Sequence, residues 1–166
     1  MLQLQLLQLE DADKLLEFER VNRCYFEQSV PTRGDSYYIP TNFLSTLGGL
    51  LDEQVQEKSL FYLIWEKDEL IGRMNLVDIN EENSTGTVEY RIGEAHSGKG
   101  YAKAALLMLV EQVLIPRGIR GLAKTTIDNV ASQKVLESVG FVPDSSLSDE
   151  EFVHYIWTYA EVSKTN

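Results

Sequence analysis

Hydrophobic and polar side chains alternate over residues 2–7, and this period of two predicts a short, half-buried strand. The acidic residues 10–13 follow, and acids in a first turn favour the start of a helix. The apolar positions that fit this helix are Leu15, Leu16, Phe18, Val21 and Tyr25. Residues 29–40 include two prolines and a glycine and are expected to form a loop. A second helix is predicted from residue 41 or 42 to about residue 58.

Three apolar runs come next and predict a meander of strands over residues 60–65, 70–79 and 85–92. The later patterns predict a helix over 100–117, a strand over 121–127, a helix over 129–139 and a last strand over 152–159. Residues after Glu161 are expected to be frayed. The element order β-α-α-β-β-β-α-β-α-β indicates a mixed α/β fold, with one domain over residues 1–166.

Composition and charge narrow the classes of function. Hydrophobic residues make up 43% of the chain and charged residues 25%, which is ordinary for a folded soluble protein. The 26 acidic and 15 basic residues give a net charge of −11. This balance argues against nucleic-acid binding, because no basic face is visible to neutralise phosphates. It would attract a cationic partner such as an amine or a basic protein tail, or it would simply keep the protein in solution.

The chain carries no pattern typical of a membrane or secreted protein. No apolar run reaches the ~18 residues that a membrane helix needs, and the N-terminal segment lacks the features of a signal peptide. A cytoplasmic protein without a membrane partner is therefore expected. The single cysteine, Cys24, excludes an internal disulfide, and its apolar neighbours predict a buried thiol.

The most informative segment runs from Glu89 to Leu106. It is typical of a strand, a glycine-bearing turn and a helix that begins near Gly100. The first backbone N–H groups of a helix have no partner within it and bind anions readily. Glycine lets the backbone approach a phosphate without an intervening Cβ. The segment therefore predicts a site for a phosphate-bearing ligand.

The segment departs from two common nucleotide-binding motifs, the Walker A loop and the Rossmann fingerprint. Residues 93–99 have the G-x-x-x-x-G-K spacing of a Walker A loop, but Gly100 stands where a Ser or Thr would hold Mg²⁺. The preceding strands are also expected to be antiparallel. No G-x-G-x-x-G follows a strand, which argues against a Rossmann site. A P-loop-like protein that binds ATP or GTP with Mg²⁺ is the weaker alternative.

The segment Ser97-Gly-Lys-Gly-Tyr-Ala102 resembles the Q/R-x-x-G-x-G/A motif with which the GCN5-related N-acetyltransferases (GNAT superfamily) hold the pyrophosphate of acetyl-CoA. Asn129-Val-Ala-Ser132 and Gly140-Phe141 match the family's second motif, N-x-x-S/A…G-F, at the expected distance. Both look most like the ribosomal-protein alanine N-acetyltransferase (RimJ/RimL-like) branch. The resemblance covers residues 60–142 closely. It implies a single-domain GNAT fold, with a mixed, mostly antiparallel sheet flanked by helices.

The same resemblance implies how acetyl-CoA is bound. The main-chain N–H groups that would wrap the pyrophosphate belong to Ser97, Gly98, Lys99, Gly100, Tyr101 and Ala102. The backbones of Arg91, Ile92 and Gly93 would pair with the pantetheine arm. Asn129 would bond the pantetheine region, cap the helix that follows, or do both.

At two of these positions, Ser97 and Lys99, the side chain bears on how the phosphates would be bound. Ser97 stands where the family commonly has Gln or Arg, so one long side chain is missing while the N–H groups remain. Lys99 would either contact a phosphate or be solvated beside the loop.

The implied chemistry is aminolysis of a thioester, which needs a neutral amine, an N–H donor for the developing oxyanion and a proton for the leaving thiolate. Ser132 matches the position proposed to protonate the thiolate, against the alternative of an ordinary helix serine. Many family members carry a tyrosine four residues later, and this chain has Leu136 there. Glu89 is the candidate general base. The alternative is that its carboxylate lies on the strand face and only pairs with Arg73 or Arg91. The N–H of Ile92 is the expected oxyanion donor.

The leading hypothesis is thus an acetyl-CoA-dependent N-acetyltransferase whose acceptor is a protein N-terminal amine or a small amine. The second is a GNAT-fold module that binds acyl-CoA without turnover. No metal is expected, because His96, His154 and Cys24 are scattered. A homodimer paired through the C-terminal strand is left open.

Overall fold

The computed structural model describes residues 1–159, so the expectation for residues after Glu161 lies outside them. Within these residues, seven strands form one sheet in the order β1-β2-β3-β4-β5-β7-β6. They are β1 (Leu2–Leu6), β2 (Leu60–Glu66), β3 (Glu69–Asn80), β4 (Thr85–Ile92), β5 (Arg120–Thr126), β6 (Val142–Pro143) and β7 (Phe152–Trp157). Neighbouring strands are antiparallel except β4 and β5, which are parallel. The predicted α/β class with a mostly antiparallel sheet is confirmed.

The α-helices of this part of the chain are α1 (Ala12–Val21), α2 (Arg23–Phe26), α3 (Pro40–Val55), α4 (Tyr101–Leu109), α5 (Ile115–Arg117) and α6 (Val130–Ser138). Short 3-10 turns occur at Leu9–Asp11, Asp35–Tyr38 and Glu94–His96. Between α4 and α5 the chain widens into a π-helical turn, Val110–Leu114. That turn precedes Pro116, whose ring and missing N–H disturb a regular helix. None of the helices up to residue 159 combines the length and hydropathy needed to cross a membrane.

The sheet separates two hydrophobic clusters. On one face, side chains such as Met74 and Val88 pack with α4 and α6. On the other face, side chains such as Phe61 and Leu63 pack with α1 and α3. Because successive side chains of a strand point to opposite faces, neighbouring residues on β4 face different halves of the molecule.

The first helix is shorter than its apolar pattern predicts. It ends at Val21, whose side chain is 71% exposed although it fits the apolar spacing, and Tyr25 belongs to the next helix. The buried Asn22 interrupts the helix, and its Nδ2 donates to the Phe18 carbonyl at 2.9 Å. The short α2 that follows leaves Cys24 exposed, so the prediction of a buried thiol was wrong.

The parallel strands β4 and β5 pair only where they begin. Their register joins Thr85 to Arg120, Gly86 to Gly121 and Thr87 to Leu122. In the described residues no further pair joins them, although β4 continues to Ile92 and β5 to Thr126. The two strands therefore diverge and leave a wedge-shaped opening in the middle of the sheet.

Beside that opening, Gly72 of β3 is predicted to be intolerant of any side chain. A Cβ at this residue would lie 2.6 Å from the main-chain oxygen of Arg91 and 2.9 Å from Cδ1 of Ile92. Because the nearest atom is backbone, Gly72→Ala should strain the β3–β4 ladder and cost about 2 kcal/mol. Thermal unfolding should show Tm lowered by about 4–8 °C.

Gly49→Ala is the matched control. Gly49 lies within α3, and nothing approaches the site of its Cβ within 4 Å. Alanine there should raise the free energy of unfolding by about 0.5–1 kcal/mol, because it favours helix more than glycine does. Equal Tm values for both variants would contradict the close packing assigned to Gly72.

Candidate active site

A groove of about 850 Å³ opens where β4 and β5 diverge. It is bordered by the ends of these strands, by the loop and first turn of α4, and by the first turn of α6. Its lining includes Tyr90, Arg91, Ile92, Ser97, Gly98, Gly100, Tyr101, Ala102, Lys103, Asn129 and Ser132. The structure thus brings most of the residues predicted for cofactor binding to one surface.

The start of α4 presents a run of unused backbone donors. Within residues 1–159, none of the six N–H groups from Gly98 to Lys103 meets a hydrogen-bond acceptor. The first N–H groups of a helix carry partial positive charge, so this run favours an anion. These donors fit the pyrophosphate of a CoA molecule, which has several negatively charged oxygen atoms close together.

Two glycines shape this run. Gly98 and Gly100 have φ values of +73° and +84°, in the left-handed region that glycine adopts without strain. Nothing lies within 4 Å of the position that a Cβ would occupy on either residue. The backbone therefore borders open space, which is the condition for close approach by a phosphate.

Ser97, the first residue of the predicted segment 97–102, differs from the residues that follow it because its N–H group is already used. The Ser97 N–H already donates to the Glu94 carbonyl at 3.2 Å, and its hydroxyl donates to the same oxygen at 2.9 Å. Among the described residues that line the groove, Lys103 is present and Lys99 is not. Lys103 thus borders the groove, while Lys99 contributes its main-chain N–H to the run of free donors.

The free edge of β4 supplies further main-chain groups. The Gly93 N–H donates to the Ile71 carbonyl at 2.8 Å, and Arg91 lies opposite Arg73 in the same ladder. Backbone groups of successive strand residues point alternately to the two sides, so the N–H groups of Arg91 and Gly93 face β3. Those of Tyr90 and Ile92 face the wedge. Ile92 therefore presents its N–H where an oxyanion donor was predicted.

A second cavity, of about 360 Å³, joins the groove at the wedge. Three residues line both spaces: Tyr90, Arg91 and Ser132. Because side chains from both faces of the sheet border this cavity, it passes between β4 and β5. The structure thus provides two separate approaches that meet at Tyr90 and Ser132.

The hydroxyl groups of Tyr90 and Ser132 form a hydrogen bond of 3.1 Å at this junction. Burial raises the pKa of Tyr90 above its usual value, because the phenolate would be poorly solvated, while the hydrogen bond to Ser132 opposes this rise. Tyr90 therefore stays protonated at neutral pH and can donate a proton. Asn129 positions Ser132, since its Oδ1 accepts from the Ser132 N–H at 3.1 Å and caps α6.

The far side of the second cavity contains a cluster of charges around Glu19, which is only 1% exposed. Arg73 Nη1 donates to Glu19 Oε1 at 2.7 Å. Arg91 and Arg33 have Nη1 atoms 3.6 Å and 3.8 Å from Oε2 of the same carboxylate. Burial lowers the pKa of Arg91, and the attraction of Glu19 opposes that change. Three guanidinium groups thus share one buried carboxylate.

Glu89 lines the second cavity on the same face of the sheet as this cluster. The alternative that Glu89 is paired with Arg73 or Arg91 was wrong, because both arginines contact Glu19 instead. Within residues 1–159 Glu89 has no hydrogen-bond or ion-pair partner from a side chain. Its carboxylate is therefore available to accept a proton in the cavity.

Sequence reasoning did not identify Tyr90, Glu19, Arg33 or Asn22 as site residues. Tyr90 could have been found from strand alternation, because it points to the opposite face from Glu89. Asn22, which directly follows α1, reaches the loop before α4, since its Oδ1 accepts from the Glu94 N–H at 2.9 Å. That contact and the Glu19 cluster join distant segments and have no local signal. Up to residue 159, no three His, Cys, Asp or Glu side chains are placed to hold a metal ion.

The meander, the wedge and the donor run at α4 are features of a mixed α/β acetyltransferase fold. The chain belongs to the GNAT acetyltransferase family, because residues 2–142 match the model of the acetyltransferase (GNAT) domain. Members similar to this chain are named N-acetyltransferases. The predicted family is confirmed, and the antiparallel meander before the loop argues against the P-loop alternative.

The chain spans about half the length of two curated relatives that it matches. The chain is 31% identical over 90 residues to the uncharacterized N-acetyltransferase p20 of Bacillus licheniformis, covering 54% of this chain and 51% of that protein. It is 30% identical over 94 residues to the ribosomal-protein-serine acetyltransferase of Escherichia coli, covering 56% and 52%. RimJ of Mycobacterium smegmatis, solved in complex with CoA-disulfide, has a similar fold: TM-score 0.85, 19% identity, 97% of this chain and 83% of that chain.

A side chain at Gly100 should prevent binding of acetyl-CoA. Gly100→Val would place a branched side chain over the free N–H groups and would strain a residue whose φ is +84°. Calorimetric titration should show an affinity for acetyl-CoA at least tenfold weaker, which corresponds to about 1.4 kcal/mol or more.

Gly118→Val is the control for strain alone. Gly118 has a φ of +65°, ends α5 and, like Gly100, has nothing within 4 Å of its Cβ position. It does not line the groove, so its variant should lose stability and keep the affinity for acetyl-CoA. Equal loss of affinity in both variants would contradict the assignment of the loop.

Proposed function

We propose that this protein transfers the acetyl group of acetyl-CoA to a primary amine, in particular the N-terminal amine of a protein. The meeting of the groove and the second cavity at Tyr90 and Ser132 carries this proposal, because the reaction needs two substrates that approach from different sides. The name of the Escherichia coli relative, a ribosomal-protein-serine acetyltransferase, supports a protein acceptor. A small amine is the alternative acceptor.

The groove would hold acetyl-CoA, whose thioester supplies the activated acetyl group. The unused N–H groups from Gly98 to Lys103 would bind its phosphates, and the free edge of β4 would bond the pantetheine arm. The amine would enter through the second cavity. In the reaction a C–N bond forms, the C–S bond breaks, the amine loses a proton and the thiolate gains one.

The residues at the wedge divide these tasks. The Ile92 N–H faces the wedge and would stabilise the negative charge that develops on the carbonyl oxygen. Glu89 would accept the proton of the amine, directly or through water. Tyr90 and Ser132 share a hydrogen bond and would supply the proton to the leaving thiolate, with Tyr90 as the group that loses it. Many family members have a tyrosine on α6 where this chain has Leu136. Here the tyrosine that donates the proton would be Tyr90, on β4.

The pKa of Tyr90 sets one limit on the pH profile. The acid form is the active form, and burial raises its pKa above the usual value of about 10. Loss of this proton therefore reduces turnover only above about pH 10.

Cytoplasmic location and a homodimer stay predictions.

The proposal predicts acceptor-dependent release of CoA. Acetyl-CoA should bind in calorimetry with a Kd in the micromolar range, about −8 kcal/mol, while Mg-ATP should not bind. A peptide with a free N-terminal amine should then release CoA, detected with a thiol reagent, and the same peptide with an acetylated N-terminus should not. Binding without release for peptides and for small amines would identify a non-catalytic acyl-CoA module instead.

Removal of the hydroxyl groups at the junction should lower kcat. Tyr90→Phe keeps the ring and removes the proton donor, so kcat should fall about 100-fold. Ser132→Ala should cause a smaller loss, because Tyr90 keeps its own proton. The double variant should resemble Tyr90→Phe, since the two groups act as one unit.

The affinity for acetyl-CoA separates this role from a structural one. It should change less than about threefold in both single variants, because phosphate binding depends on the backbone from Gly98 to Lys103. Glu89→Gln provides the comparison for the base and should lower kcat/KM through the acceptor. If Tyr90→Phe and Ser132→Ala both kept full kcat, the assignment of the acid would be wrong.

A further inference from the structure

We infer that the acceptor is a primary amine with a carboxylate a few atoms away. This inference rests on the proposed acetyl transfer and concerns the second cavity. Free α-amino acids have this chemistry, and so do N-termini followed by an acidic residue. A polyamine or a basic peptide does not.

The charge of the cavity is the first argument. Its lining includes Arg33, Arg73, Arg91 and Lys124, against one lining carboxylate, Glu89. Glu19 contributes a second carboxylate behind the guanidinium groups. Positive charge is thus in excess here, although the whole chain has a net charge of −11. One buried carboxylate needs one guanidinium partner, and this one faces three.

Unsatisfied polar atoms are the second argument. Arg73 is only 5% exposed, and its Nε has no hydrogen-bond partner in the described residues. Asn75, two residues further on β3, has a buried Oδ1 that likewise finds no partner there. Buried polar groups normally have partners, and both residues line the cavity. Both atoms are enclosed, so they show that the polar groups around the cavity are incompletely paired.

The arrangement of these groups along the strands gives the cavity a direction. Arg73 lies opposite Arg91 in the β3–β4 ladder, and Asn75 lies opposite Glu89. The two rows are two residues apart, which is roughly 7 Å along a strand. One row offers guanidinium donors and the other offers the carboxylate of Glu89. A ligand with a carboxylate at one end and an amine at the other matches both rows.

This direction agrees with the proposed chemistry. The amine would lie in the row that contains Glu89, the candidate base, while the carboxylate would lie against Arg73 and Arg91. Arg33 approaches from the loop before α3 and is 34% exposed, so it would close the carboxylate end at the rim. The overall acidity suggested a cationic acceptor, and the local charge of the cavity points the other way.

The test compares matched acceptors in the CoA-release assay. One arm uses an equimolar pool of the L-amino acids against a pool of their α-amides. The other uses the amidated peptides Ser-Asp-Gly-Gly and Ser-Asn-Gly-Gly, and spermidine serves as the cationic comparison. We expect kcat/KM at least tenfold higher for the carboxylate member of one pair, which also tells whether the carboxylate comes from the α-position or a side chain. The preference should weaken with added salt.

Variants of Arg33 test the role of the arginines without disturbing the Glu19–Arg73 bond. Arg33→Gln should reduce the preference for the carboxylate member about tenfold, and the change should fall on KM rather than kcat. Arg33→Lys keeps the charge and should restore part of the preference. Arg117→Gln removes an exposed arginine at the end of α5, outside both cavities, and should keep the full preference.

Product binding distinguishes failure of this inference from failure of the proposed function. N-acetylated amino acids and their amides, and the N-acetylated forms of the two peptides, are titrated into the CoA-bound protein, a measurement that needs no turnover. At least tenfold tighter binding of the carboxylate member of either pair would support the inference even if no acceptor released CoA. Equal binding within both pairs, or a preference of the enzyme for amides or spermidine, would overturn it while acetyl transfer could stand.

Discussion

The divergence of β4 from β5 is the constraint on which the other features of the site depend. Three residue pairs join the two strands, and each strand then continues with its inner edge unpaired. An unpaired edge inside a sheet leaves backbone groups that need partners, which a ligand can provide. The same gap connects both faces of the sheet. In the proposed reaction, this one irregularity would provide both the binding edge for one substrate and the passage for the other.

Electrostatics in this molecule differ between the whole and the site. The net charge of −11 describes a field that is screened within about 10 Å at moderate salt. Beside the second cavity, by contrast, three arginines lie within 4 Å of Glu19, whose carboxylate is buried. Short, buried contacts are screened least, so they rather than the total charge decide what binds there.

Local patterns predicted the fold more completely than the site. Periodicity located the strands of the meander, and the glycine-bearing turn located the donor run at Gly98 and Gly100, because these signals depend on neighbouring residues. The Tyr90–Ser132 bond joins residues 42 positions apart, and Glu19 meets Arg73 across 54. Such pairs depend on how the helices pack on the sheet. The first helix shows the converse, since its apolar pattern continues to Tyr25 although Asn22 ends α1.

The donor run before α4 consists of main-chain N–H groups, and every residue type except proline has one. Its geometry depends on two glycines and on the start of a helix, while positions such as Lys99 and Lys103 can change freely without removing a donor. Substitutions can therefore accumulate around the donor run over evolutionary time without removing its N–H groups. The similar fold of Mycobacterium smegmatis RimJ, with a TM-score of 0.85 at 19% identity, agrees with such tolerance.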